Sequence, residues 1–226
     1  MNQNSNKVVL VTGSAGFIGA HLVEALLKRG DHVVGVDNHN DYYDQSLKEA
    51  RVDRFIDHGN YNHHRISIED SDSLREVFKS YEIYDVVNLA AQAGVRHSIE
   101  FPKLFIETNI MGFQNILELS YQYEINHLVY ASSSSVYGAN KKIPYSVTDS
   151  VDHPVSNYAM SKKSNELMAH VYSHLYNLPT TGLRYFTVYG PFGRPDMAMY
   201  KFTENIILGK EIEVYNHGKH KRDFTY

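Results

Sequence analysis

Two hydrophobic textures alternate along the chain. Short, nearly continuous apolar runs, rich in β-branched residues, lie at Lys7–Thr12 (K-V-V-L-V-T), His32–Asp37 (H-V-V-G-V-D), Asp85–Leu89 (D-V-V-N-L) and His127–Ala131. Compact runs of this kind fit strands buried on both faces. Between them the apolar spacing turns helical. Phe17–Lys28 repeats through Ile18, Leu22, Ala25 and Leu26 and stops at Arg29-Gly30, a basic last turn followed by a glycine. The same reading predicts an amphipathic helix over Asp44–Asp57, a weaker third strand over His64–Ile68, and a helix over Ser71–Ser80. It then predicts a long helix over Phe105–Tyr123, a helix over Tyr158–Tyr176 and a strand over Thr180–Phe186. Strict alternation of strand and helix predicts an α/β fold, a doubly wound parallel sheet with right-handed crossovers. Past Gly190 the rhythm breaks. G-P-F-G-R-P is a breaker-rich loop, followed by an expected short helix near Lys201–Leu208 and a strand near Glu211–Val214. A main domain over 1–186 and the beginning of a smaller lobe over 187–226 are expected.

Composition narrows the class. The 226 residues, 42% hydrophobic, suffice for one large domain or for one domain and part of another. No apolar run approaches the ~18 residues of a membrane span, and the polar start, Met1–Lys7, lacks the apolar stretch of a secretion signal. The absence of cysteine excludes disulfides and thiolate metal sites and fits a reducing cytoplasm. A net charge of −4 gives no general attraction to nucleic acid. The 13 histidines are scattered: His63 and His64 would point to opposite faces of a strand, and His217 and His220, which would share a helical face, are read as having no carboxylate partner at suitable spacing. No metal site is expected.

The first chemical motif is T-G-S-A-G-F-I-G, residues 12–19, between the first strand and the first helix. Gly13, Gly16 and Gly19 allow a tight turn, close approach to a pyrophosphate, and packing of the helix on the sheet. The helix N-terminus offers unpaired N–H groups and a partial positive charge to that pyrophosphate. Asp37 ends the second strand, where a carboxylate accepts both hydroxyls of an adenosine ribose and repels a 2′-phosphate, favouring NAD over NADP. The second motif is Y-A-M-S-K, residues 158–162, at the start of a predicted helix. Tyr158 and Lys162, at i and i+4, share a face. Lowering a tyrosine from ~10 to ~7 requires about 4 kcal/mol of preferential stabilisation of tyrosinate. A lysine ammonium at ~4 Å, in an effective dielectric of ~20, supplies a comparable amount. The pair is expected to act as a general acid and base.

Taken with N-L-A-A-Q-A-G-V-R (88–96), S-S-S-S-V-Y-G (132–138), L-R-Y-F-T-V-Y-G-P-F-G-R-P-D-M (183–197) and R-D-F-T-Y (222–226), these motifs resemble the extended short-chain dehydrogenase/reductases. That is the NAD-dependent epimerase/dehydratase group, and within it the likeness is to UDP-glucuronate 4-epimerases. The resemblance implies a Rossmann-type domain and NAD held by Gly13, Ala15, Gly16, Phe17, Ile18, Gly19, Asp37, Ser67, Ile68, Leu89, Ala90, Ala91, Tyr158, Lys162 and Tyr185. It implies catalysis by Tyr158, Lys162 and Ser133, with Ser132 and Ser134 beside the substrate. It also implies a homodimer formed as a four-helix bundle from the helices around 105–123 and 158–176, and a cytoplasmic role in polysaccharide biosynthesis.

The same resemblance excludes neighbouring chemistries. Sugar-nucleotide 4,6-dehydratases place Asp-Glu where this chain has Ser134-Ser135, and UDP-glucuronate decarboxylases place a glutamate at Ser135. For a glucuronate substrate the 4-keto intermediate is a β-keto acid, so its carboxylate must be held out of line with the ketone. A guanidinium fork and a hydroxyl suit a carboxylate, and Thr187 and Arg194 are expected to supply them; UDP-glucose 4-epimerases typically carry asparagine at the position of Thr187. Arg222 matches an arginine that clamps the nucleotide diphosphate, and Arg96 is expected to face the substrate. Two departures stand out. Ser67 replaces an aspartate that reads the adenine amino group in relatives, which is expected to weaken NAD binding. Relatives also continue past R-D-F-T-Y, so the chain is expected to be a truncated product or a fragment. Two alternatives therefore remain: a UDP-glucose 4-epimerase, and a non-catalytic NAD-binding remnant or dimerisation module.

Overall fold

A computed structural model describes residues 7–219 and 221–226; residues 1–6 of the polar start, and His220 of the His217/His220 pair, lie outside the described residues. Six strands form one parallel sheet in the order β3-β2-β1-β4-β5-β6. They are β1 (Val8–Thr12), β2 (His32–Val36), β3 (Tyr61–His64), β4 (Ile83–Asn88), β5 (His127–Ser133) and β6 (Thr180–Tyr185). Helices α1 (Phe17–Arg29), α2 (Gln45–Val52) and α3 (Ser71–Ser80) follow the first three strands. Register explains why β1 is apolar from Val8 to Val11. Val9 and Val11 pack with Val23, Leu26 and Leu27 of α1 on one face, while Leu10 packs with Leu74 and Phe78 of α3 on the other. Successive side chains of a strand point to opposite faces, so a strand covered on both sides is apolar along its covered length, and the polar Thr12 stands at its carboxyl end.

The connection from β4 to β5 runs through α4 (His97–Glu100), α5 (Pro102–Ile106), a π-helical turn (Glu107–Gly112) and α6 (Phe113–Gln122). The long helix expected over Phe105–Tyr123 therefore starts at Pro102 and is interrupted. Between β5 and β6 lie a 3-10 turn (Ser134–Tyr137) and α7 (Asn157–Tyr176), whose N-cap Ser156 accepts the Ala159 N–H at 3.1 Å. Thr12 pairs with Val36 of β2 on one side and with Asn88 of β4 on the other. The strand order reverses there, and the crevice outside the carboxyl ends of β1 and β4 is where doubly wound sheets bind ligands.

Three expected boundaries are corrected. The third strand is Tyr61–His64, not His64–Ile68. Tyr61 fixes it: the ring is buried edge-on against Phe55, centroids 4.9 Å apart, and Val33 pairs with it in register. Ile68 is buried as well, but as part of the segment that leaves the sheet. Helix α2 covers only Gln45–Val52, because Asp44 stands outside it and caps it through the Ser46 N–H at 2.9 Å. No strand forms at Glu211–Val214, an exposed stretch without a pairing partner among the described residues. Instead Thr187–Val188 (β7) pairs in parallel with Phe224–Thr225 (β8), flanking α8 (Ala198–Ile207). Among the described residues no helix is long and apolar enough to cross a membrane.

Candidate active site

A single cleft runs along the carboxyl ends of β1, β2, β4, β5 and β6. Its lining includes Gly13, Gly16, Phe17, Ile18 and Gly19 at one wall and Ser133, Tyr158 and Lys162 at the far end. The glycine loop is shaped by contacts that no side chain would permit. Gly13 has φ +71, and a Cβ there would stand 2.7 Å from the Ala90 nitrogen. At Gly19 a Cβ would lie 2.0 Å from the Gly13 carbonyl oxygen. The loop delivers Gly16 as the N-cap of α1 without any side-chain cap, so the first-turn N–H groups remain for an anion.

Asp37 supports this loop as well as facing the cleft. One carboxylate oxygen accepts the Ala15 N–H at 3.1 Å and the other accepts the His39 N–H at 2.8 Å. Ala15 thus acts through its backbone, behind the lining. The Lys48 ammonium lies 3.9 Å from Asp37 and donates to Asn40 at 2.8 Å; burial pushes its pKa down, against the pull of Asp37. Ser67 and Ile68 line the same end of the cleft, joined by Glu69. The Glu69 carboxylate accepts hydrogen bonds from the Ser67 hydroxyl and, at 2.5 Å, from Thr108. An acid thus stands two residues beyond the position where the sequence has serine.

The wall formed by Leu89, Ala90 and Ala91 is fixed from behind. Thr12 donates to Asn88 at 2.6 Å and accepts the Ala90 N–H at 3.2 Å. Asn109, buried in the π-helical turn, accepts the Gln92 N–H at 2.7 Å and donates to Gln92 at 3.0 Å and to Ser161 at 3.0 Å. Asn165 of α7 donates to the Asn109 carbonyl at 2.6 Å. A π-turn frees carbonyls from the usual ladder, and here one of them ties the cleft wall to the helix bearing the tyrosine.

At the far end, Ser133 is the last residue of β5. Its hydroxyl accepts the Ser135 N–H at 3.2 Å, capping the 3-10 turn. Tyr158 lies in the first turn of α7, its ring edge-on to Phe105 at 6.2 Å. Burial raises the tyrosine pKa, opposed by the Ser133 hydroxyl and by the charge of Arg194. Lys162, 3% exposed, donates to the Ala131 carbonyl at 2.9 Å and stands 6.0 Å from the Tyr158 ring centroid; burial lowers its pKa to about 8. The lysine ammonium is thus directed at a carbonyl, and burial is the largest influence on the phenol. Tyr185 completes this end of the lining.

The serines divide. Ser132 lines the cleft, but its hydroxyl donates to Glu166 at 2.6 Å, and both Glu166 oxygens are held by one edge of Arg184, Nε at 2.8 Å and Nη2 at 2.9 Å. Ser134 opens the 3-10 turn outside the cleft lining. Arg194 lines the cleft near Tyr158 and grips Asp196 through Nε at 2.9 Å and through Nη2, while Tyr42 donates to Asp196 at 3.2 Å. Thr187 and Arg222 lie in a neighbouring hollow of about 760 Å³ that shares Arg194, Val188 and Met197 with the cleft. Arg96 stands apart from both, stacked 4.0 Å over Tyr215 and donating to its hydroxyl at 2.8 Å. Sequence reasoning missed Asn38, Asn40, Tyr42, Tyr43 and Lys48, all in the lining. The polar density of N-H-N-D-Y-Y-D directly after Asp37 was the available signal.

The model of the family described as "NAD dependent epimerase/dehydratase family" matches residues 9–226. The chain belongs to that family. Among curated proteins it is similar to Protein CapI of Staphylococcus aureus, with 59% identity over 96% of this chain and 65% of that protein. It is also similar to UDP-glucuronate 4-epimerase 4 of Arabidopsis thaliana, with 50% identity over 99% of this chain and 52% of that protein. Among solved structures it resembles the UDP-glucuronic acid 4-epimerase of Bacillus cereus in complex with UDP-glucuronic acid and NAD. There the TM-score is 0.88, with 35% identity over 97% of this chain and 69% of that one. The chain thus spans 65% of the CapI length and about half of the plant enzyme. The glycine cradle, the carboxylate at Asp37 and the Ser133, Tyr158 and Lys162 side chains lie along one lining, and the free N–H groups at the start of α1 with the carboxylate beyond them suit the chemistry of a dinucleotide.

Proposed function

We propose that this protein inverts C4 of a nucleotide sugar, UDP-glucuronate to UDP-galacturonate, with NAD as resident cofactor. One observation carries the reading: a dinucleotide cradle and a Tyr-Lys-Ser group line one cleft, with the Arg194 guanidinium at the same end. NAD, when bound, would accept the C4 hydride and give it back, and in its oxidised form would add a positive charge to the site. The protein does the rest. Tyr158 takes the C4 hydroxyl proton, and Ser133 hydrogen-bonds the C4 oxygen as the 4-keto sugar forms. After the sugar has turned its other face to the cofactor, the same tyrosine returns the proton. Lys162, pinned by Ala131, holds a positive charge behind the phenol.

The carboxylated substrate is favoured by Arg194 and Thr187, which face a common hollow. Asp196 takes the Nε and Nη2 edge of Arg194, and the remaining edge of the guanidinium holds the substrate carboxylate away from the ketone plane and so suppresses loss of CO2. Arg222, on the wall of that hollow, suits the diphosphate. Exposed apolar side chains on the β4–β5 helices (Leu104, Met111, Tyr121) and on α7 (Leu167, Val171, Leu175) support a homodimer built from these helices. A cysteine-free chain and a nucleotide-sugar substrate fit the cytoplasm.

The test is to incubate the purified protein with NAD and UDP-glucuronate and identify the product by NMR. UDP-galacturonate is expected. Conversion of UDP-glucose to UDP-galactose in its place points to the neutral-sugar reaction, and NAD binding without turnover of either sugar points to a non-catalytic module. Arg194→Ala is expected to raise KM for UDP-glucuronate or to release CO2; unchanged kinetics without CO2 would remove Arg194 from the substrate site.

A further inference from the structure

Arg51, on α2, is 0% exposed and plays no part in the chemistry above. Its guanidinium makes five hydrogen bonds, all to neutral oxygens on three separate segments. Nη1 donates to the Ala15 carbonyl of the glycine loop at 3.1 Å and to the Tyr43 hydroxyl at 2.5 Å. Nε and Nη2 donate to the Phe192 carbonyl at 3.0 and 2.7 Å, and Nη2 reaches Gly193 at 3.4 Å. The Phe192 peptide is an unusual thing to hold so firmly. Phe192 has φ +57, a left-handed conformation that costs a non-glycine residue about 1–2 kcal/mol. Neighbouring contacts press on the same turn: His21 bonds the Pro191 carbonyl at 2.9 Å, and the Arg54 guanidinium stacks 4.9 Å from the Phe192 ring. Arg194, which lines the cleft, follows immediately.

Burying a cation against neutral oxygens is costly, because dipoles repay only part of its lost hydration. The glycine loop that Arg51 touches is where the diphosphate of a dinucleotide sits in the proposed function, on which this inference rests. We infer that Arg51 is a positioning residue that couples occupancy of the diphosphate site to the conformation of residues 190–196. An anion on the glycine loop stabilises the buried guanidinium. The guanidinium in turn fixes the Phe192 carbonyl and sets the segment that presents Arg194 to the substrate. Cofactor binding thereby orders the sugar side of the cleft before the sugar arrives.

The test uses ADP, which fills the adenosine-diphosphate end and does not reach the nicotinamide end near Arg194. Amide exchange of the peptide spanning 189–197 is followed by mass spectrometry with and without ADP, in the wild-type chain and in Arg51→Lys and Arg51→Met. ADP is expected to slow exchange there by about 5-fold or more in the wild type. In both variants ADP is expected to bind, by its thermal shift, while that protection disappears: lysine keeps the charge but cannot span the two carbonyls. A residue that merely stabilised the fold would raise exchange throughout and leave the ADP response intact. ADP binding with no protection of 189–197 in the wild type overturns the inference without any variant, and so does protection that survives in both variants. A wild-type chain that binds neither ADP nor NAD overturns the functional reading itself.

Discussion

At Tyr158 and Lys162 two buried ionisable groups are arranged so that neither is settled by the protein alone. Burial raises the phenol, and burial lowers the lysine to about 8. The lysine's sign can be worked through. Below about 8 both the folded and the unfolded chain hold the proton, and the cost of burying the ammonium is present in full. Between about 8 and the ordinary 10.5 only the unfolded chain holds it, so stability rises with pH across that window. Lys162→Met is therefore expected to be more stable than wild type at pH 7. The gain is about 2 kcal/mol, the burial penalty of about 3 less about 1 for the lost bond to Ala131. Urea melts should show this advantage fading as pH passes from 8 to 10.5; an advantage independent of pH would mean that the lysine titrates alike in the folded and the unfolded chain. The same variant should lose most of its turnover, and Tyr158→Phe should lose about 10²-fold or more in kcat with NAD binding retained.

Among the elements, β5, β6 and α7 are locked together by one ion pair. Burial by itself raises the Glu166 pKa, and the Arg184 bonds, assisted by Ser132, bring it below the ordinary value. Stability from this group is present above about 4.5 and is lost as pH falls through the lowered value. Arg184→Met leaves the carboxylate half-buried and unpaired, and is expected to cost about 3 kcal/mol at pH 7, read by chemical denaturation. Lowering the pH toward 4 should then narrow the gap between variant and wild type. Ser132, which lines the cleft, is also part of this lock. Legibility followed the physics of each element. β1, β2 and α1 were readable because burial on both faces, or along one helical stripe, writes itself into local composition. The third strand was not, because one aromatic residue, Tyr61, anchors it, while Ile66 and Ile68 imitate a strand from a loop that lines the cleft. The π-turn was unreadable because its reason, the tie between Asn109, Gln92 and α7, spans segments distant in sequence.

For the whole molecule, the motifs with fixed spacing were the legible part of the site. Gly13, Asp37, Tyr158 and Lys162 converge as their order along alternating strands and helices requires. Arg96 and Arg222 could not be placed, because the loops after β4 and before β8 set their direction and no periodicity reports on it. The exposed apolar faces of the β4–β5 helices and α7 belong to this scale too. Leu167→Glu with Leu175→Glu is expected to shift the protein from dimer to monomer in light scattering, with the helical signal unchanged; a wild-type monomer would remove the bundle from the account.

The central claim is that hydrogen leaves C4 and returns to C4 without meeting water. It is tested most directly with UDP-glucuronate deuterated at C4 and the NAD-loaded protein. The account predicts UDP-galacturonate that keeps the deuterium at C4, whereas a product that has exchanged it for solvent hydrogen would contradict hydride transfer within the cleft.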